Sequence, residues 1–127
     1  MSNRAVISSP NAPEALGPYS QGVKVGNTIW LSGQIPLAPG TMELVGGGIG
    51  AQATQVFENL SAVAAAAGCT LDNAVKINIS LTDLNDFAAV NEVMASFLRE
   101  PYPARACVQV AALPKGASIE VEAILAR

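Results

Sequence analysis

With 127 residues, the chain is expected to form one domain over residues 1–127, with little room for a second. Half of the residues are apolar and only 13% are charged, so part of the surface is expected to be buried against copies of the chain. The net charge is −3, and the seven basic residues are scattered from Arg4 to Arg127, which argues against nucleic acid as a partner.

The N-terminal Met1-Ser2-Asn3-Arg4 leads into Ser, Pro and Asn, so no signal peptide is expected. No apolar run is long enough to read as a membrane span, and the expected compartment is the cytoplasm. Residues 8–20 hold three prolines and little periodicity, and read as a structured loop. Two short strands follow, 21–25 and 28–32, joined by Gly26-Asn27, a pair suited to a tight hairpin turn. Residues 33–48 read as loop. From Ile49 the period changes to three and four, with Ala53, Val56, Phe57, Leu60, Val63, Ala64 and Ala67 on one face of a helix that stops at Gly68.

Residues 74–81 alternate Val75, Ile77, Ile79 and Leu81 with Lys76, Asn78 and Ser80, the pattern of a half-buried strand. N-cap candidates between Asp83 and Asp86 open a second helix that runs to about Leu98, with Phe87, Val90, Met94 and Phe97 as its apolar stripe. Pro101 and Pro103 end it. Two last strands, 104–110 and 118–125, flank Leu113-Pro114-Lys115-Gly116. The order β-β-α-β-α-β-β is an α+β layout with both helices on one sheet face. The other face is left without a helix, which makes self-association its simplest cover and puts any site at a subunit boundary.

Histidine is absent, which removes Ser-His-Asp and Cys-His schemes and imidazole metal sites. Acid–base chemistry falls to carboxylates, Tyr19, Tyr102, a thiol or the backbone. The two cysteines, Cys69 and Cys107, lie in different elements and form neither a disulfide framework nor a zinc site. In the fifth strand Arg105, Cys107 and Gln109 share one face, and in the last Glu120 and Glu122 share one. If those two strands pair, a guanidinium, a thiol and two carboxylates gather. Two readings are open: a solvated face with a cross-strand ion pair, or an arginine fork for a carboxylate beside an acid that activates water. Asn91, which interrupts the helix stripe, either satisfies a backbone group or reaches a ligand. Gly48-Ile49-Gly50-Ala51-Gln52-Ala53 matches a dinucleotide fingerprint. However, Asp72 precedes the next strand, where a ribose-binding acid belongs at its far end, and the repeated β-α-β units are missing, so the segment reads as a loop closed by a helix start.

Five segments in register resemble the Rid (YjgF-like) family across essentially the whole chain. They are Gly17-Pro18-Tyr19-Ser20-Gln21, Leu31-Ser32-Gly33-Gln34-Ile35-Pro36, Asp83-Leu84-Asn85-Asp86-Phe87, Pro103-Ala104-Arg105-Ala106-Cys107-Val108, and Leu113-Pro114-Lys115-Gly116 leading to Ile119-Glu120-Val121-Glu122-Ala123. The resemblance implies a chorismate-mutase-like fold and a homotrimer with clefts between subunits. It also implies hydrolysis of 2-enamino and 2-imino acids, such as 2-aminoacrylate, to 2-keto acids and ammonia, with no metal or organic cofactor. By position, Arg105 and Glu120 are the implied catalytic residues, Arg105 binding the substrate carboxylate and Glu120 orienting water. Tyr19, Ser32, Gly33, Asn91 and the backbone at Cys107 are the implied substrate contacts. Ala106 departs from the family, where a hydroxyl residue is common, and Gly46-Gly47-Gly48 is a looser lead-in to the first helix. The alternatives are a deaminase for another catabolic enamine and a non-enzymatic keto-acid sensor. A ribonuclease activity is disfavoured by the acidic balance.

Overall fold

The structure is a computed structural model and describes residues 3–127. Met1 and Ser2, the start of the segment judged to lack a signal peptide, lie outside the described residues. No helix among those residues is long and apolar enough to cross a membrane.

The chain runs β1 (Arg4–Ile7), β2 (Gly22–Val25), β3 (Thr28–Gln34), α1 (Gly48–Ala66), β4 (Ala74–Leu81), α2 (Phe87–Phe97), β5 (Ala104–Gln109) and β6 (Ile119–Ala126). One six-stranded sheet forms in the order β1-β2-β3-β6-β4-β5. Five strands and both helices match the sequence reading within a few residues. β1 was not expected. It is a four-residue edge strand with three exposed residues, so its alternation carries almost no signal.

Gly26 and Asn27 make the two-residue turn between β2 and β3, with Gly26 in the left-handed region at φ 60° and Val25 opposite Thr28. α1 starts where Gly47 adopts φ 100° and lays Val56, Phe57, Leu60 and Val63 on the sheet, fully buried. Each such side chain contributes about 1.5–3 kcal/mol relative to exposure. Opposite them are Ile29, Ile77, Ile79, Val121 and Leu125, also buried. Phe97 of α2 stacks on Phe57 of α1 with ring centroids 5.5 Å apart. Asp83 Oδ1 accepts the Asn85 N–H at 2.9 Å and caps the 3-10 turn that leads into α2.

The strand order corrects one expectation. β5 and β6 do not pair, because β4 lies between them. α2 carries the chain from β4 to a parallel β5, a crossover in which Ile77 lies beside Arg105 and Ile79 beside Cys107. β6 then returns on the other side of β4, antiparallel, with Ser80 opposite Glu120.

The helix-free face carries Val6, Trp30 and Val108, which are 68%, 50% and 52% exposed. This face of the sheet therefore leaves apolar area uncovered in the single chain.

The loop over residues 8–20 is tied down by one buried side chain, Gln21. Its Oε1 accepts the Ser9 N–H at 2.6 Å, and its Nε2 donates to the carbonyls of Ser9, Ala12 and Pro13 at 3.1, 3.4 and 2.7 Å. Leucine at this position cannot replace those bonds and leaves buried backbone groups unpaired. Gln21→Leu is expected to lower stability by about 2–4 kcal/mol, read as a shifted urea midpoint at constant slope. A midpoint unchanged from wild type would contradict that account.

Candidate active site

β3 carries one extra residue against β6. Leu31 pairs with Ala123 and Gln34 with Val121, so three steps on one strand match two on the other. This bulge falls at Ser32-Gly33 and bends β3 around Glu120. A Cβ built on Gly33 would stand 2.9 Å from Glu120 Cδ and 3.1 Å from its Cγ, so only glycine leaves room for that side chain. The space beside Gly33, an implied substrate contact, is thus taken by the protein's own carboxylate.

Glu120 lines a cleft of about 560 Å³ with Tyr19, Ser32, Gly33, Pro114 and Lys115. Leu16, Leu37 and Met42 add apolar surface to it. Burial raises the Glu120 carboxyl above its ordinary value of 4.5, and the neighbouring Glu122 charge raises it further. Glu122 is itself engaged by Asn78, whose Nδ2 donates to Oε1 at 3.1 Å. Ser32 Oγ donates to the Ser20 carbonyl at 2.5 Å, which commits its proton and leaves its oxygen able to accept. Tyr19 is 56% exposed at the cleft rim, and its backbone N–H donates to the Gly17 carbonyl at 2.8 Å.

Two further residues shape this cleft that were not singled out as site residues from the sequence. Asn59 is fully buried in α1, and its Nδ2 donates to the carbonyls of Ile35 and Leu37 at 3.4 and 3.0 Å, holding the cleft wall to the helix. Lys115 sits in the left-handed region at φ 58°, at the turn before β6. A polar residue inside the apolar period of α1 was the available clue to Asn59.

Arg105 lies elsewhere. Its Nη1 donates to Asn91 Oδ1 and lies 3.8 Å from Met94 Sδ, and its guanidinium carbon is 5.0 Å from the Phe87 ring centroid. All three partners belong to α2, so Arg105 points to the helix side of the sheet, above a hollow of about 300 Å³ shared with Tyr102 and Pro103. Cys107 points the same way and packs against the core. Burial pushes its thiol up, partly opposed by the Arg105 charge, so a thiolate is disfavoured at neutral pH. Gln109 is used locally, its Oε1 accepting the Leu84 N–H at 2.9 Å.

Glu120 alternates with Ile119 and Val121, which are buried under the helices, and so it occupies the opposite face. The gathering of Arg105, Cys107, Glu120 and Glu122 into one cluster therefore does not occur within one chain. The sequence-predicted residues divide into two half-sites: Tyr19, Ser32, Gly33 and Glu120 in one, and Asn91, Arg105 and Cys107 in the other. No group of three or more metal-ligating side chains is present among the described residues.

A carboxylate with raised proton affinity in one cleft and an arginine framed by α2 at the sheet edge are the two polar features of this small α+β domain that its sequence singled out. Residues 9–127 match the family model described as Endoribonuclease L-PSP, and the chain belongs to that family, which includes the Rid (YjgF-like) proteins. It is 49% identical over 125 residues to the 2-iminobutanoate/2-iminopropanoate deaminase of Dermatophagoides farinae, covering 98% of each chain. It is 49% identical over 121 residues to the human protein of the same name, covering 95% of this chain and 88% of the relative. The crystal structure of RidA from the Antarctic bacterium Psychrobacter sp. superposes with a TM-score of 0.94 at 58% identity, over 97% of this chain and 99% of the other.

Because the glycine accommodates Glu120, Gly33→Ala is expected to displace that carboxylate from the bulge while the sheet stays paired. A crystal structure of the variant, with Glu120 found in its original place, would refute the close-packing account.

Proposed function

We propose that this protein hydrolyses 2-enamino and 2-imino acids to 2-keto acids and ammonia, with the active site shared between neighbouring subunits of a homotrimer in the cytoplasm. The observation that carries the reading is the half-buried Glu120, held in a cleft against Gly33 with its proton affinity raised. The full-length identity to deaminases of 2-iminobutanoate and 2-iminopropanoate supplies the substrate class.

In this reading Arg105 grips the substrate carboxylate through its planar fork. The imine carbon then lies over Glu120. Water adds to the carbon of the protonated imine as Glu120 accepts one of its protons, giving a neutral tetrahedral amino-alcohol. Glu120 returns that proton to nitrogen and then takes the hydroxyl proton as the C–N bond breaks, so that ammonia leaves, the C2 carbonyl forms and the last proton passes to solvent. An enamine enters the same route after protonation at C3. The Ser32 oxygen, with its own proton committed to Ser20, accepts from the substrate N–H. Tyr19 and the backbone at Cys107 close the walls.

Sharing between subunits is supported by the placement of Arg105 and Glu120 on opposite faces of one sheet and by the apolar helix-free face. A head-to-tail contact that meets itself after three copies closes a ring and brings one subunit's arginine to the next one's carboxylate.

The decisive assay follows imine decay, with a pyridoxal-phosphate dehydratase generating the imine from serine or threonine and semicarbazide competing for it. Wild type is expected to accelerate keto-acid release. Arg105→Ala should lose tenfold or more, since charge-assisted hydrogen bonds contribute about 1.5–3 kcal/mol. No acceleration by folded wild-type protein would sink the deaminase reading. Arg105→Ala and Glu120→Ala, inactive alone, should regain about a quarter of wild-type activity when unfolded and refolded together, because each mixed trimer contains one intact site. Continued inactivity of a confirmed hybrid would place both residues in one subunit's site or in none.

The base must be ionised to work, so kcat/KM should fall as pH drops through the Glu120 pKa, and this acid limb should lie above 4.5. Glu122→Gln removes a charge that raises Glu120 and should move the limb to lower pH. An unmoved limb would take Glu120 out of the base role.

A further inference from the structure

Phe87, Asn91 and Met94 stand at successive i, i+4 and i+7 positions of α2 and therefore line one face of it. That face is turned to Arg105: the Phe87 ring meets the guanidinium carbon at 5.0 Å, and Asn91 Oδ1 and Met94 Sδ both meet Nη1. Asn91 thus spends its acceptor oxygen on the arginine, and both polar contacts fall on Nη1, while the Phe87 ring meets the central carbon. Nη2 and Nε are left as the edge available to a carboxylate, above the hollow bounded by Tyr102 and Pro103.

We propose that Asn91 is a positioning residue, which acts through Arg105 to present the Nη2–Nε edge of the guanidinium to the substrate carboxylate. This rests on Arg105 being the carboxylate clamp. An exposed arginine samples many rotamers, and ordering it only when ligand arrives weakens binding. The ring and the amide oxygen remove that freedom beforehand. The chemistry of the amide is specific: a neutral acceptor orients the guanidinium without neutralising it. Aspartate, of nearly the same shape, would form an ion pair with Arg105 and compete with the incoming anion.

The test is calorimetric titration of 2-ketobutyrate, a simple 2-keto acid, into the assembled wild-type protein and its variants. Asn91→Ala should weaken binding about tenfold. Asn91→Asp should weaken it further, with part of the loss recovered as salt screens the new ion pair. In an Arg105→Lys background, where no fork remains to be aimed, Asn91→Ala should cost less than about twofold. A merely structural asparagine would leave the isosteric Asn91→Asp at wild-type affinity, and that result overturns the proposal. An equal loss in both backgrounds also overturns it, since Asn91 would then touch the ligand directly. Wild-type protein that fails to bind 2-ketobutyrate at all would overturn the clamp itself. Normal binding with unchanged Asn91 variants removes only the positioning role.

Discussion

Two helices cover one face of a six-stranded sheet and leave the other bare, and this asymmetry organises the rest of the molecule. On the covered face, buried aliphatic side chains of β3, β4 and β6 meet α1 and α2, and that contact supplies the core. On the bare face β3 and β5 offer Trp30 and Val108 to solvent beside Asn78 and Ser80 of β4 and Glu120 and Glu122 of β6. Mixed apolar and polar surface of this kind is costly to leave wet and has enough specificity to choose a partner. The fold thus places Glu120 at the margin of an apolar area that one chain leaves uncovered.

Each half-site is built on regular structure, with loops only at the rim. Glu120 is fixed by a β-bulge whose single glycine makes space for it. Arg105 is fixed by three residues on one helix face. Groups held by packed elements keep their geometry as ligand arrives, which is what orientation-based catalysis without a histidine demands. The cleft loops are secured in turn by Gln21 and Asn59, two buried amides that satisfy backbone carbonyls otherwise left unpaired.

Alternation and periodicity made much of this legible. The helix stripe from Ala53 to Ala64, the strand 74–81, the Gly26-Asn27 hairpin and the shared face of Arg105 and Cys107 all follow from spacing alone. Strand order does not, because periodicity is a property of one segment and pairing depends on how α2 crosses over. Supposing that β5 pairs with the next strand in sequence placed Arg105 and Glu120 together, whereas β4 separates them. β1 escaped notice for lack of a buried side. The roles of Gln21 and Asn59 escaped it because a polar residue reads alike whether it is solvated or satisfies a buried carbonyl. Gly33 entered only through the resemblance, and its contact with Glu120 became visible only once β3 and β6 were in register.

The separation of Arg105 and Glu120 also bears on how the proposed site keeps its reactivity. A guanidinium and a carboxylate within reach in one subunit would pair, satisfying each other before any substrate came. Paired, the carboxylate would be held ionised but with depressed basicity, and the arginine would have to exchange one carboxylate for another to bind ligand. Opposite faces of a sheet forbid that collapse within a chain. Within one chain, burial and then the Glu122 charge raise the proton affinity of Glu120, and Arg105 meets only neutral partners on α2. When a neighbour brings the two half-sites together across a bound acid, the ligand's own carboxylate can take the place at Arg105 that Glu120 would otherwise fill. Division of the proposed site between subunits would thus preserve both a free clamp and a competent base, which neither strand could secure alone.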